Sequence, residues 1–368
     1  MTPNSRHISV LIADDSAFMR TALRRMIESD DAFRVVETAC DGVDALAKIH
    51  KLRPDVVTLD IEMPRLNGLN TLKHIMQQCP CPVIMVSSLT QEGAQVTLDA
   101  LDLGAFDYIS KDLSYASLDI IKIRKDLIAK IKAAASSAAF SADPPAISQL
   151  PSAAFSRNLV HARARECAPE IVCIGTSTGG PKALQQLLPT LPASFPSGIL
   201  IVQHMPPGFT GPFAQRLNTL CKIHVREAWD HDLIEPGVAL IAPASWHMLP
   251  YRVGNKAFVQ LTKEPGDTLH RPAVDVTMLA AASAFGAATL GVIMTGMGDD
   301  GARGMKAIHA CGGYTIGQDQ ASCAVYGMPR SCAELGILDS VVPLDVLGHT
   351  IMHHCRSSRP ALATAPLH

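Results

Sequence analysis

Acidic side chains follow two short apolar runs near the start of the sequence. The run ISVLIA is followed by Asp14 and Asp15, and the run VVTL is followed by Asp60. If these runs are parallel strands, the carboxylates meet at one edge of a sheet and repel one another unless a cation neutralises them. Carboxylate oxygens are ligands that suit Mg²⁺. The sequence therefore predicts a divalent-metal site that contains these three residues.

Two further polar groups are expected at the same edge. The run PVIMVSS ends in Ser87 and Ser88, and Lys111 follows the run AFDYIS. A metal ion, a hydroxyl group and an ammonium group that converge on one carboxylate can stabilise a transferring phosphoryl group. Asp60 is then the nucleophile, and it forms an acyl phosphate.

The second half of the sequence contains a serine in a setting typical of hydrolases. Residues 175–179 read GTSTG, the G-x-S-x-G pattern that puts a serine on a sharp turn between a strand and a helix. Pro181 suits the start of that helix. The glycine spacing fits neither a dinucleotide-binding loop nor a Walker loop. For this motif alone, a glycine-rich loop that binds an anion, or nothing, remains the alternative.

A nucleophilic serine requires a base and an orienting carboxylate, and both are expected at strand ends. Among the 14 histidines, His204 is the one that terminates a long apolar run, GILIVQ. The run LGVIMTG is followed by Asp299 and Asp300, and spacing does not decide between them. We therefore expect a triad of Ser177, His204 and one of these aspartates.

Two sheets must position these residues. Five apolar runs alternate with five helical patterns up to residue 132, and the alternation resumes at about residue 169. This order predicts an α/β protein with two doubly wound parallel sheets, whose sites lie at the carboxyl ends of the strands. An Ala-, Ser- and Pro-rich stretch lies between them. The predicted organisation is a first domain over 1–132, a linker over 133–168, a second domain over 169–356 and a tail over 357–368.

Composition narrows the functional classes. Of the 368 residues, 48% are apolar and 18% are charged, which fits packed domains rather than disorder. Residues 169–368 carry 13 Lys and Arg against 14 Asp and Glu, and no helix-turn-helix follows the linker, so we expect no nucleic-acid partner. Gly286 divides the uncharged stretch 276–298 into a helical half and a strand-like half, so we expect no membrane insertion.

The cysteines and the N-terminus indicate a cytoplasmic protein. The ten cysteines are scattered, with no C-x-x-C pair and no spacing suited to zinc. The first 16 residues lack the layout of a signal peptide. Free thiols, mostly buried as small apolar side chains, are therefore expected.

The first domain resembles the receiver domains of bacterial response regulators. The resemblance rests on the ordered motifs ADDSAFMR, TLDIEMPRLNGL, MVSSLT and GAFDYISK. It implies that Asp60 accepts a phosphoryl group. It implies also that Mg²⁺ is bound by Asp15, Asp60 and the carbonyl of Glu62, with Asp14 helping through water.

The same resemblance implies a conformational switch. Ser87 and Tyr108 match the hydroxyl and aromatic switch positions of receivers. Lys111 matches the lysine that receivers place beside the phosphorylation site. One departure is visible, because Asp112 stands where most receivers have proline. The departure affects whether the peptide bond after Lys111 is cis, as is usual before that proline, and it leaves the positive charge of Lys111 unchanged.

The second domain resembles the catalytic domain of the CheB family of chemotaxis methylesterases. The resemblance rests on IGTSTGGPKAL, QHMPPGFTGPFAQRLN, HRPAVDV, MTGMGDDGARGM and ASCAVYGMPR. It implies a triad of Ser177, His204 and Asp300, and an oxyanion contact from the backbone N–H of Met297. Thr176 stands where the family often has alanine. The order Ser, His, Asp also differs from the order in α/β-hydrolases.

Together the two resemblances imply an activity for nearly the whole chain. They imply a flavodoxin-like receiver that controls a Rossmann-like serine hydrolase domain, activated when phosphorylation relieves packing of the receiver over the active-site edge. The implied reactions are demethylation of glutamate methyl esters on chemotaxis receptors, with release of methanol, and deamidation of specific receptor glutamines. The esterase reaction itself is expected to need no cofactor.

The resemblance also implies partners and a location. Methylated receptors are the substrate, and a histidine kinase of the CheA type is the phosphodonor. Recruitment of a cytoplasmic protein to receptor arrays follows from these partners. The alternative hypothesis is a receiver-bearing signalling protein whose second domain binds a partner without turnover.

Overall fold

A computed structural model describes residues 7–88, 90–111, 117–137 and 168–356 of the protein. The chain divides into two compact units, one on each side of residue 150. Each unit contains a parallel sheet flanked by helices, which confirms the predicted fold class. Most of the predicted linker and the whole predicted tail lie outside the described residues.

The first unit is a five-stranded parallel sheet with alternating helices. Its strands are β1 Ile8–Ala13, β2 Phe33–Ala39, β3 Val56–Asp60, β4 Val83–Ser87 and β5 Asp107–Ser110. Its helices are α1 Ala17–Ile27, α2 Gly42–Leu52, α3 Gly68–Gln78, α4 Gln91–Asp102 and α5 Ser117–Ala135. The strand order β2-β1-β3-β4-β5 is flavodoxin-like and reverses direction between β1 and β3. Helix α5 continues three residues past the predicted domain end.

Local sequence explains these elements. Strands β3 and β4 are buried at every residue, as expected for parallel strands covered on both faces. The first four helices begin at polar side chains that accept a hydrogen bond from a first-turn amide, which satisfies backbone groups that the helix leaves unpaired. These capping residues are Ser16, Asp41, Asn67 and Thr90.

The second unit is built on a seven-stranded sheet and a separate hairpin. Its strands are β6 Ile171–Thr176, β7 Gly198–Gln203, β8 His224–Glu227, β9 Val238–Ile241, β10 His247–Val253, β11 Lys256–Thr262, β12 Thr289–Ile293, β13 Tyr314–Gln318 and β14 Ser340–Val342. Its helices are α6 Gly180–Leu187, α7 Thr210–Leu220, α8 Val274–Phe285, α9 Ala302–Ala310, α10 Met328–Glu334 and α11 Leu344–Arg356. The large sheet is parallel in the order β14-β13-β12-β6-β7-β9-β8, and β10 pairs with β11 antiparallel.

The uncharged stretch 276–298 folds as a helix and a strand. Helix α8 ends at Gly286, whose positive φ of 52° favours glycine, and a short 3₁₀ turn leads into β12. This confirms the interpretation of the stretch as a buried helix followed by a buried strand. Among the residues that the structure describes, no helix combines the length and the apolar character that a membrane span requires.

Several elements of the second unit were not expected from the sequence. Strand β9 follows β8 with no helix between them, and β10 and β11 form a hairpin, so the alternation of strands and helices expected after residue 169 is interrupted there. The nine cysteines of the described chain are free thiols, and five of them are buried.

Candidate functional site

Three carboxylates lie together at the carboxyl edge of the first sheet. Asp14 and Asp15 follow β1, Asp60 ends β3, and one oxygen of each lies within 4.8 Å of the others. Asp14 and Asp60 are buried, whereas Asp15 is exposed, so solvent reaches one side of the cluster. The structure therefore brings together the three acidic residues that the sequence singled out.

Lys111 pairs with this cluster. Its Nζ lies 2.6 Å from Asp60 Oδ2 and 3.3 Å from Asp14 Oδ2. Burial raises the pKa of Asp60 to about 6, with the negative charge of Asp14 adding to the effect and Lys111 opposing it. Burial also raises the pKa of Asp14. Burial alone would lower the pKa of Lys111, but the two carboxylates outweigh it and raise that pKa.

The donor set fits a divalent ion. Three carboxylates face a single ammonium group, which leaves negative charge uncompensated in a largely buried position. All the available ligands are hard oxygen atoms, the type that Mg²⁺ prefers. The amide of Glu62 donates to Asp60 Oδ1 at 3.2 Å, so the Glu62 backbone lies beside the cluster while its side chain is exposed.

The predicted switch residues attach the sheet to its last helices. Ser87 ends β4, is fully buried, and its hydroxyl accepts a hydrogen bond of 2.7 Å from Thr97 of α4. Tyr108 in β5 is also buried, and Lys130 of α5 lies 5.2 Å from the centre of its ring. The Lys111 amide donates to the Ser87 carbonyl at 2.7 Å. Residue 112, where the sequence departs from the receiver pattern, lies outside the described residues.

The hydrolase candidates lie at the ends of three adjacent strands of the second sheet. Ser177 follows β6, His204 follows β7, and Asp300 lies in the loop after β12. His204 Nε2 lies 2.8 Å from Asp300 Oδ2. The strand order changes direction at β6, and such switch points are where ligands bind in doubly wound sheets. Asp299 is exposed, so the geometry selects Asp300 as the partner of His204.

The second ring nitrogen of His204 is Nδ1. Nδ1 is buried and has no hydrogen-bond partner among the described residues. No hydrogen bond joins it to the Ser177 hydroxyl in this part of the chain, and such bonds are often long before substrate binds. Because Asp300 holds Nε2, Nδ1 is the nitrogen left to face a nucleophile.

Asp300 is held in its charged form. Its carboxylate accepts hydrogen bonds from the amides of Val274 and Asp275 at 2.8 and 2.9 Å, at the start of α8. Burial alone would raise its pKa, but the hydrogen bond and charge of His204 and these two amides outweigh burial and lower the pKa. A charged Asp300 can orient the His204 ring and stabilise its protonated form.

Buried polar residues that the sequence analysis missed hold the strand ends together. Gln203 Nε2 donates to the carbonyls of Ser177 and His204, each at 3.0 Å. The Thr295 carbonyl accepts from the Ser177 amide at 3.0 Å, and the Thr295 hydroxyl donates to the Thr178 carbonyl at 2.9 Å. A polar residue at the end of an otherwise apolar run was the available signal for both.

Two further residues complete the surroundings. The His270 ring stacks on the His204 ring, with centroids 4.0 Å apart and planes inclined by 19°. The amide of Met297 donates no hydrogen bond within the described residues, so it is available to a ligand. Met297 is the residue to which the resemblance assigns the oxyanion contact, and His270 opens the HRPAVDV motif of the same resemblance.

Comparisons with known proteins agree with this architecture. The family model described as "Response regulator receiver domain" matches residues 10–121, and the model described as "CheB methylesterase" matches residues 172–351. The crystal structure of the Thermotoga maritima CheB methylesterase catalytic domain is 40% identical to this chain. It matches with a TM-score of 0.50 over 50% of this chain and 98% of its own.

Full-length relatives extend the match to both units. The protein-glutamate methylesterase/protein-glutamine glutaminase 1 of Oleidesulfovibrio alaskensis is 45% identical over 364 residues, which cover 94% of this chain and 99% of the relative. The Pyrococcus abyssi protein-glutamate methylesterase/protein-glutamine glutaminase is 44% identical over 357 residues, or 96% and 95% of the two chains. The chain belongs to the protein-glutamate methylesterase/protein-glutamine glutaminase family, in which it joins a receiver domain to a CheB methylesterase domain.

Proposed function

We propose that the protein is a phosphorylation-activated serine hydrolase that removes methyl groups from glutamate methyl esters of chemotaxis receptors and deamidates specific receptor glutamines. The observation that carries the proposal is the 2.8 Å contact between His204 and Asp300, with Ser177 at the adjacent strand end. The names of its relatives favour this enzyme over a domain that binds without turnover.

The proposed reaction begins at the Ser177 hydroxyl. His204 accepts its proton at Nδ1, because Nε2 is hydrogen-bonded to Asp300. The Ser177 oxygen attacks the γ-carbonyl of the glutamyl ester, and the carbonyl oxygen becomes an oxyanion that accepts a hydrogen bond from the Met297 amide. Collapse of this intermediate expels methoxide, which takes the proton from His204 and leaves as methanol.

The second half of the reaction regenerates the serine. His204 removes a proton from water, the hydroxide attacks the acyl-enzyme, and Ser177 leaves with the proton returned by His204. A primary amide follows the same steps and releases ammonia instead of methanol. One set of residues thus serves both the esterase and the glutaminase reaction, and neither step uses a metal or an organic cofactor.

Control of this site is proposed to come from Asp60. Its carboxylate accepts a phosphoryl group from a histidine kinase of the CheA type. Mg²⁺, held by Asp14, Asp15, Asp60 and the Glu62 carbonyl, would neutralise charge on the transferring group. Lys111 contributes a second positive charge beside Asp60. The new phosphoryl charge then shifts the equilibrium between two conformations of Ser87 and Tyr108. These two residues contact α4 and α5, respectively.

This function divides the chain as the sequence predicts. Residues 1–132 receive the signal, 133–168 link the domains, 169–356 carry the hydrolase, and 357–368 form a tail. Unphosphorylated, the first domain restrains the second. The substrate receptors recruit the protein to their arrays from the cytoplasm.

Methanol and ammonia release from methylated and amidated receptors test the proposal. The full chain should release both, faster with a phosphodonor and Mg²⁺ than without, and Asp60→Asn should remove the acceleration. Ser177→Ala should abolish both products. Ser340→Ala is a matched control, because its buried hydroxyl has no partner among the described residues. Methanol or ammonia release that survives Ser177→Ala would assign that reaction to another nucleophile.

A further inference from the structure

Two aspartates in the second unit each bind the start of the other's helix. Asp300, just before α9, accepts hydrogen bonds from the amides of Val274 and Asp275 at the start of α8. Asp275 Oδ1 in turn accepts hydrogen bonds of 3.0 and 2.9 Å from the amides of Gly301 and Gly304 at the start of α9. The exchange ties the two helix starts together on either side of the carboxylate that contacts the His204 ring.

Asp275 is buried, and its charge is satisfied mainly by backbone. Its exposed fraction is 6%, and a buried carboxylate destabilises the fold unless hydrogen bonds compensate for lost water. Two of its three donors are amides at a helix N-terminus, where negative charge is favoured. The third donor is Arg303 Nε at 2.7 Å, but that side chain is 74% exposed, so the ion pair contributes little.

The backbone around this exchange is closely packed against neighbouring side chains. Gly301 has a φ of 101°, and a Cβ there would lie 2.7 Å from Ile293 Cδ1 and 2.9 Å from Val274 Cγ1. A Cβ on Gly304 would lie 2.4 Å from Met278 Cβ. The turn after Asp300 therefore packs too closely to accept a side chain at these two positions, and the Asp275 carboxylate bonds directly to that turn.

We infer that Asp275 is a positioning residue of the hydrolase site, which fixes the backbone beside Asp300 and thereby the orientation of the Asp300 carboxylate toward His204. The inference rests on the proposed function. Asp275 makes no hydrogen bond to His204 or Ser177 in the described chain, so it acts through Asp300 alone.

Steady-state methanol release by the full chain tests this role. Asp275→Ala removes both helix bonds, and kcat should fall by about tenfold to a hundredfold at unchanged KM, since misplacing a catalytic group by about 1 Å can lower the rate by about 10²-fold. Asp275→Asn keeps an oxygen for both amides and should recover most of kcat. Asp275→Ser, whose shorter hydroxyl suits one amide at most, should be intermediate and serves if the alanine variant does not fold.

A matched control separates positioning from general stability. Asp339 also accepts a backbone amide, that of Thr315 at 2.8 Å, but at the opposite end of β13 from the site. Asp339→Ala should lower the free energy of unfolding and leave kcat of the folded protein unchanged. Equal loss of kcat in Asp339→Ala and Asp275→Ala would overturn the inference.

A double-mutant cycle with Asp300→Ala supplies the decisive result. If Asp275 acts through Asp300, Asp275→Ala should slow an Asp300→Ala protein no further. Losses that multiply, or a single Asp275→Ala protein with wild-type kcat, would contradict the inference. A wild-type protein that releases no methanol at all would instead remove the proposed function, so the two failures are distinguishable.

Discussion

Replacing Asp60 with asparagine should stabilise the metal-free first unit at neutral pH. Asp60 is 1% exposed and lies beside the like charge of Asp14, and Lys111 at 2.6 Å compensates only in part. Burial and this repulsion raise its pKa from 3.8 to about 6. Asparagine keeps the shape of the side chain and removes the charge, so the cost of ionising a buried carboxyl disappears.

The magnitude follows from proton linkage. The folded protein holds the Asp60 proton more tightly than the unfolded chain, so its contribution to stability is fully present below pH 3.8 and is lost as pH rises through about 6. At about 1.4 kcal/mol per pH unit, the difference between these pKa values corresponds to about 3 kcal/mol. Asp60→Asn should therefore raise the free energy of unfolding by about 3 kcal/mol near pH 7 and by little near pH 4.

Urea unfolding read by pulsed hydrogen exchange and mass spectrometry can follow β1 and β3 within the full chain. The comparison is made in chelator near pH 7 and near pH 4, and again with excess Mg²⁺. If the wild-type carboxylates bind Mg²⁺ as proposed, the ion should shrink the difference. Asp55→Asn is the control, because that carboxylate accepts hydrogen bonds from Ser9 and should give no gain. A gain of equal size at both pH values, or no gain near neutrality, would refute the assigned role of burial.

Three further outcomes are expected in the second unit. Gly180→Ala should lower the free energy of unfolding by about 1–3 kcal/mol in urea titrations, because its Cβ would lie 2.1 Å from Gln203 Oε1; an unchanged midpoint would contradict this. His270→Ala should reduce kcat for methanol release by about twofold to tenfold, because a stacked ring pair contributes about 0.5–1.5 kcal/mol. A variant with wild-type kcat would exclude a role for the stacking of His270 on His204. The pKa of Asp300 is lowered in the folded protein, so the stability that this carboxylate contributes should be present above pH 3.8 and lost as the pH falls below that value. Asp300→Asn should make the free energy of unfolding, measured in urea titrations, less dependent on pH in this acid range.

The sequence predicted the site residues at the ends of strands better than the residues whose hydrogen bonds position those strand ends. Asp60, Ser177 and His204 each follow a buried apolar run, and the rule that parallel strands share a carboxyl edge was enough to group them. Spacing could not choose between Asp299 and Asp300, because the choice depends on which carboxylate meets the start of α8. That contact requires the tertiary fold.

The missed elements have local physical causes. The β10–β11 hairpin has a two-residue Gly254–Asn255 turn with positive φ at the glycine, a recognisable signal, but Pro250 interrupts the preceding strand pattern. Gln203 and Thr295 look like ordinary polar residues at the ends of apolar runs. Their roles arise from carbonyls supplied by distant segments, and no periodicity reports such partners.

The pairing of β6 with β12 has a consequence for how activity appears during folding. The Thr176 hydroxyl bonds to the Thr295 carbonyl across 119 positions of sequence, and β6 lies in the middle of its sheet. Contacts this distant in the chain form late, because closing a long loop is entropically unfavourable. A nascent chain that has not yet reached β12 has neither Thr295 nor Asp300, and its central strand has an unpaired edge. Reactivity of Ser177 toward a serine-directed probe should thus report completion of the whole sheet, and synthesis should yield no partly folded hydrolase that escapes control by the first domain.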